Sequence, residues 1–556
     1  MLMIFTARLS AQQDTVQTNV PALKDVFVGD FKIGCLLSYR NIGFPDDPYV
    51  AGQSAVITPN GGYLIKYHMN CMSPGNNMKP QYTVDITASA AAFKSASAAD
   101  KDSVNIHPVI VFNGDIIAQL NWAKRQGFTF RGHTLVWHSQ TPSTFFRTGY
   151  TSTGTRLTKE KMTERMDHYI EAVIRKIHEN WPGLLSAIDV VNEAVTDAGQ
   201  DRTTDSEWYT TFGDNSYLMK AFELTRKYTL QYGEPQIKLY YNDYNTHISS
   251  KADGIVRICA PIYQAGYLDG IGMQEHDGNS SPTAEQWIAS YEKFYPICSE
   301  MAVTELDVTT GSATPSAAVL ATQANQYGQL FKCFVERSYY SGRGKIISVS
   351  KDGLNDQYTF KTNQSSSLWN SQNQCKPAFN AVVDVGFYFN ALDSLITATD
   401  SLQAGKYTVD SWSKWMTALS AARTAMDRNY SASTSAAEAL HGAYDNLKTA
   451  MDSLVTSSSL AGDMMQHEPY AYSLVQNYPN PFNATTTIEF SLPEPCEVRL
   501  ILYDDLGREA MKLAEGVYGS GSHKITVNAF NLGSGTYYYR LETEKYASTG
   551  KLTLVK

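Results

Sequence analysis

Between Phe31 and about Val385, short apolar runs alternate with longer amphipathic stretches, which is the pattern of repeated βα units. The runs predict strands over 31–37, 67–72, 128–137, 187–192, 237–244, 270–274, 301–306 and 346–350. Eight is the number that a TIM (β/α)8 barrel requires. The stretches between them read as helices: Met162, Met166, Ile170, Val173, Ile174 and Ile177 recur at spacings of three and four and so share one face. The alternative, an open doubly wound sheet, has no glycine-rich phosphate loop to support it.

Beyond about residue 387 the strand signals stop and three apolar stripes at helical spacing follow. They carry Leu392, Leu395, Ile396 and Leu402, then Trp412, Trp415, Met416, Leu419 and Met426, then Leu440, Leu447, Ala450, Met451 and Leu454. Together they predict a small three-helix bundle. A polar linker leads into alternating segments at 485–492, 497–503, 523–528, 536–544 and 550–555, the pattern of a small all-β sandwich. The expected organisation is an α/β barrel over 21–385, a helical module over 386–456, a linker over 457–474 and a β-domain over 475–556.

Composition narrows the partners. Hydrophobic residues at 43% and aromatics at 12% suffice for a large core, and the 35 tyrosines suit the stacking and hydrogen bonding that sugars need. A formal net charge of −9 with no Lys/Arg run argues against nucleic acid and against an anionic membrane. No run of 18 or more apolar residues is present, so no membrane span is expected. The seven cysteines lack C-x-x-C spacing, which weighs against a zinc site and leaves their pairing open. Residues 1–20 begin with an apolar stretch ending in small residues near Ala11; it fits a secretory signal remnant or a truncated gene start equally.

Three blocks carry candidate chemistry. Arg131-Gly132-His133-Thr134-Leu135-Val136-Trp137-His138-Ser139-Gln140 crowds polar and aromatic residues at the end of the third strand, where a barrel handles its substrate. Asp189-Val190-Val191-Asn192-Glu193 places a carboxylate directly after an apolar strand, where burial favours the protonated acid. Val303-Thr304-Glu305-Leu306-Asp307 repeats the arrangement on the seventh strand. Two carboxylates at two strand ends of one barrel can face each other across a bound sugar.

With these ordered motifs the chain resembles glycoside hydrolase family 10, chiefly endo-β-1,4-xylanases, from about Asp30 to Val383. The resemblance implies Glu193 as acid/base and Glu305 as nucleophile of a retaining reaction, for which carboxyl groups lie about 5–5.5 Å apart. It implies His276 as the residue orienting the nucleophile, with Asp307 as its partner. Asn192, Gln274, Asn76, Lys79, His133, Trp137, Gln140, Asn242 and Tyr244 are implied as sugar ligands. Neither a metal nor an organic cofactor is implied.

Four positions depart from the family pattern: Gly75 stands where a glutamate is usual, Ile188 and Asp352 where tryptophans are, and Phe360 replaces a second tryptophan on the eighth strand. Losing an indole platform costs about 1 to 3 kcal/mol of apolar contact. Two other functions therefore stay open: action on another β-linked glycan, such as mixed-linkage glucan or an aryl β-glycoside, and a xylan-binding barrel without turnover. The Ala/Ser-rich stretch 88–99 reads as a surface excursion.

Two further resemblances concern the appendages. Lys406-Tyr407-Thr408-Val409-Asp410-Ser411-Trp412 resembles the FIVAR family of helical modules, although Trp412 and Trp415 suit a core better than a sugar platform. Asn477-Tyr478-Pro479-Asn480-Pro481-Phe482-Asn483, Asp504-Asp505-Leu506-Gly507-Arg508 and Gly533-Ser534-Gly535-Thr536-Tyr537 are similar to the C-terminal type A sorting domain. That resemblance implies export through the type IX secretion machinery to the cell surface or beyond the outer membrane.

Overall fold

The computed structural model describes residues 16–58, 60–399, 401–426, 436–456, 472–475, 477–483, 485–530 and 532–555. Most of the expected signal remnant and linker lies outside the described residues. The chain forms two compact units, residues 1–455 and 456–556.

In the first unit eight parallel strands close on themselves: β1 Lys32–Leu37, β2 Cys71–Pro74, β3 Thr129–Trp137, β4 Leu185–Asn192, β5 Lys238–Asp243, β6 Gly270–Met273, β7 Glu300–Thr309 and β8 Ile346–Asp352. Each pairs with the next, and β8 pairs back onto β1 through Lys32 opposite Ser348. Both strand faces are covered, so β2 and β6 are buried at every position and read in sequence as apolar runs. The second strand begins at Cys71 because Tyr67 belongs to the preceding helix, a distinction that a short apolar run does not make.

A helix follows each strand: α1 Gly61–His68, α2 Gly114–Gln126, α3 Lys159–Asn180, α4 Ser216–Gln231, α5 Ser249–Gln264, α6 Ala284–Phe294, α7 Ala317–Val335 and α8 Pro377–Thr399. Their starts have local causes. The Asn113 side chain accepts from the Ile116 amide at α2, Thr158 accepts from Lys161 at α3, and Thr283 with Gln286 makes a reciprocal box at α6. The apolar face predicted for α3 is buried throughout. The stretch 88–99 contributes to a largely exposed helix, Ile86–Ser95.

Helix α8 bears on two expectations. It runs unbroken through the boundary expected at 385/386, so Leu392, Leu395 and Ile396 of the first stripe lie in the far half of a barrel helix, with Leu402 beyond its end. It is also long and apolar enough, by length and composition, to cross a membrane. Here Ala378, Phe379, Val382, Val385, Phe389 and Leu392 are buried in the core it shares with α7 and with α9 Val409–Met426 and α10 Ala436–Asp452. Trp415 is buried in that core and Trp412 packs beside it, ring centres 4.5 Å apart.

The second unit holds β9 Ser473–Leu474, β10 Thr485–Leu492, β11 Cys496–Tyr503, β12 Glu509–Tyr518, β13 Gly521–Asn528, β14 Gly535–Glu542 and β15 Ala547–Leu554. They form antiparallel sheets in the orders β9-β10-β13 and β12-β11-β14-β15. Ile488, Phe490, Val498, Leu500, Leu502, Tyr539, Leu541 and Leu552 fill the core. Strand β12 escaped the sequence reading because it is a half-exposed edge, with bulges against β11 and mixed charges where alternation would be. All seven cysteines of the chain are unpaired.

Candidate active site

The carboxyl-terminal ends of the barrel strands open into a cleft of about 960 Å³. Of the residues singled out in the sequence, Asn76, Lys79, Trp137, Gln140, Glu193, Tyr244, Gln274, His276 and Glu305 line it. His133, Asn192, Asn242 and Asp307 lie buried among or beneath them.

Glu193 follows β4 with a left-handed backbone, φ 55°, a conformation costing a non-glycine residue about 1–3 kcal/mol and typical of functional turns. Its amide donates to the Asn242 carbonyl at 2.9 Å, and Arg202 Nε donates to its own carbonyl at 2.8 Å. Its carboxyl receives Trp137 Nε1 at 2.9 Å on Oε2, with Asn192 Nδ2 at 3.2 Å and Gln274 Nε2 at 2.9 Å on Oε1. All three partners donate. Together they fix the carboxyl at the cleft wall.

Glu305 sits on β7 in a different setting. Asn242 Nδ2 donates to its Oε1 at 3.0 Å, and His276 Nε2 lies 3.6 Å from its Oε2, an ion-pair distance. His276 Nδ1 meets Asp307 Oδ2 at 2.7 Å. That contact follows from register, because a short strand, His276–Gly278, pairs with the end of β7 and sets His276 opposite Asp307. Burial by itself would lower the pKa of His276, but the Asp307 and Glu305 carboxylates outweigh it and raise it to about 10. Burial likewise favours a neutral Glu305, and His276, His133 and Lys79 overcome it and hold the group at about 2. Near neutral pH the β7 carboxyl is an anion beside an imidazolium.

The two carboxyls share one relay. Asn242 Nδ2 also donates to Asn192 Oδ1 at 2.9 Å, and the Thr304 hydroxyl donates to Asn242 Oδ1 at 2.8 Å, fixing which way the amide points. Gly272 on β6 makes room for it: a Cβ there would fall 2.3 Å from Asn242 Oδ1.

The comparisons fit this geometry. The sequence profile of glycosyl hydrolase family 10 matches residues 23–385, more than half the chain. The chain belongs to glycosyl hydrolase family 10. It is 33% identical over 397 residues to endo-1,4-beta-xylanase Y of Acetivibrio thermocellus, covering 68% of this chain and 34% of that protein. It is 27% identical over 384 residues to an endo-1,4-beta-xylanase of Geobacillus stearothermophilus, covering 66% of this chain and 99% of that one. The chain thus spans about a third of the length of the first of these relatives. Among solved structures, the N-terminal modules of a Clostridium thermocellum endo-1,4-beta-D-xylanase, complexed with xylohexaose, align with a TM-score of 0.55 and 32% identity over 65% of this chain and 67% of that one. An intracellular xylanase of Thermoanaerobacterium saccharolyticum aligns at 0.53 and 26%, over 66% and 99%. Residues 476–555 match the secretion system C-terminal sorting domain.

Within this family 10 barrel the remaining residues form two walls. On one, Lys79 Nζ donates to Asn76 Oδ1 at 2.8 Å and Gln140 Oε1 at 3.0 Å, and lies 4.6 Å from the Trp137 ring centre. On the other, Arg202 Nη2 donates to the Tyr244 hydroxyl at 2.7 Å, and Lys251 lies over the Tyr244 ring at 3.4 Å. Below, His133 Nδ1 meets Asp189 Oδ2 at 2.8 Å, and Arg131 pairs with the other Asp189 oxygen. Asp189, Arg131, Arg202 and Thr304 had no assigned role in the sequence. Arg131, Asp189 and Thr304 lie inside the three strand-end motifs of the sequence, whereas Arg202 comes from a loop without any signal.

The eighth strand differs from expectation in a specific way. Asp352 is buried and accepts from the Thr359 hydroxyl at 2.6 Å and the Phe360 amide at 3.2 Å. It pins the loop after β8. Phe360 consequently sets its ring edge-to-face on His276, centres 4.8 Å apart, while remaining 64% exposed at the cleft. An aromatic surface stands beside the catalytic candidates, supplied by Phe360 and held by Asp352.

Proposed function

We propose that this chain is a secreted endo-β-1,4-xylanase that hydrolyses internal xylan linkages by a retaining double displacement, with Glu305 as nucleophile and Glu193 as acid/base. The carrying observation is the contrast between the two carboxyls: Glu305 is held ionised beside His276, whereas Glu193 lines the cleft and has no ion-pair partner among the described residues. Glu305 attacks the anomeric carbon while Glu193 protonates the departing oxygen. Glu193, now a carboxylate, then takes a proton from the water that releases the sugar. Asn192 is the ligand for the 2-hydroxyl beside the broken bond. Asn76, Lys79, His133, Trp137 and Gln140 hold the non-reducing side, with Gln274 on the adjoining wall, and Asn242 and Tyr244 hold the leaving side. No step requires a metal or an organic cofactor.

The test is product analysis. The full chain acting on xylan should release short xylo-oligosaccharides whose first-formed anomer is β by NMR. Failure to release them, with a working control enzyme, sinks the substrate reading; a first-formed α-anomer sinks the retaining mechanism. Gly75 and Asp352 favour one second reading, action on another β-linked glycan, and a panel including mixed-linkage glucan and aryl β-glycosides separates the two.

We further read residues 386–456 as a FIVAR-like module, and residues 476–555 as the signal for type IX export to the cell surface or medium, supported by the sorting-domain match. Deleting 476–555 should trap the protein inside the outer membrane with its hydrolytic activity intact, since every proposed catalytic residue lies in the first unit.

A further inference from the structure

We propose that His247, Glu275 and Asp277 form a site for one divalent first-row transition cation of the Zn²⁺ class, separate from the hydrolytic chemistry. One ligand atom from each lies within 4.8 Å of the other two. Glu275 and Asp277 are 2% and 3% exposed, and their carboxyls approach closely enough to share a proton, while Glu275 Oε2 and Asp277 Oδ2 receive no N–H or O–H donor from any other group among the described residues. The other Glu275 oxygen accepts from the Thr246 hydroxyl at 3.1 Å, and the Trp287 indole N–H faces the same carboxyl without completing a bond. Among the described residues no Lys or Arg pairs with either carboxylate.

Two adjacent buried carboxylates without a direct ion-pair partner are costly. A shared proton would neutralise only one of them. A divalent cation neutralises both and uses all three groups. One imidazole nitrogen with two carboxylate oxygens suits zinc or manganese, whereas calcium and magnesium take oxygen-only sets. A cavity of about 350 Å³ lined by His247, Ser281, Gln286 and Lys293 adjoins the site at His247. The cation would tie the loop between β5 and α5 to the segment after β6, gripping it on both sides of His276.

The experiment uses the full chain dialysed against a chelator and titrated with ZnCl₂ by calorimetry, with melting temperature followed in parallel. One cation per chain, a rise in melting temperature and its reversal by chelator are expected. The Glu275→Gln/Asp277→Asn double variant should bind at least about tenfold more weakly. His247 is only half-buried, so His247→Ala carries the test if the double variant does not fold, and it should show the same loss. The absence of saturable binding, unchanged affinity in His247→Ala, or CaCl₂ binding as tightly as ZnCl₂ would overturn the assignment.

Discussion

Replacing His276 with glutamine tests the electrostatics on which the proposed nucleophile, Glu305, depends. Glu305 titrates at about 2 instead of its ordinary 4.5 although burial pushes it upward. At 1.36 kcal/mol per unit, its neighbours favour the anion by a net of about 3 kcal/mol, and His276 is the largest of them. Glutamine keeps an N–H donor and much of the volume but removes the charge. The sign follows from linkage. A depressed carboxylate contributes stability that is present above its ordinary 4.5 and lost as pH falls through about 2. The raised His276 contributes stability that is full below its ordinary 6.5 and lost as pH rises through about 10. In the variant the His276 window is gone and the Glu305 window narrows to what His133 and Lys79 sustain, so the acid limb of kcat/KM, which in this mechanism needs ionised Glu305, should move up by about 1–2 pH units.

The assay is kcat/KM on an aryl β-xyloside from pH 3 to 7, with circular dichroism confirming the fold at each pH. The substitution also strands Asp307, which is buried, and that should cost about 3–5 kcal/mol of stability. His276→Gln/Asp307→Asn should restore much of the melting temperature without restoring the acid limb. A folded variant whose acid limb coincides with that of the parent would refute the reasoning.

Other perturbations probe other parts. Glu193→Ala should lose about 10²–10⁴-fold on substrates with poor leaving groups. Activity should return with added azide as a β-glycosyl azide, and lack of rescue would count against Glu193 as acid/base. Phe360→Ala removes an exposed ring and its edge contact with His276, so KM for xylan should rise about 2- to 10-fold, 0.5–1.5 kcal/mol, with kcat little changed. Leu447→Ala on α10, fully buried in the core shared with α8, should cost about 2–5 kcal/mol. Because α8 runs unbroken from barrel into bundle, thermal inactivation and helix loss should shift together; a separate transition for the helical module would contradict this.

Part of the molecule could be read from the chain alone. The eight strands, their order and the face of α3 follow from local periodicity, since a barrel strand covered on both sides must be apolar and a ring helix on one side. The placement of Glu193 directly after one apolar strand and of Glu305 within another, and the sorting-domain motifs, were likewise legible as contiguous residues. Closure of the barrel decided the rest. It brought Asn242 between Asn192 and Glu305, set His276 opposite Asp307, and joined His247 to Glu275 and Asp277. It also turned Asp352 from an expected gap in the sugar roof into the anchor of Phe360, and fused the helical module to the barrel through α8. These contacts join residues from separate strands and loops, and their register is set by sheet pairing and core packing, neither of which leaves a periodic trace in a single sequence.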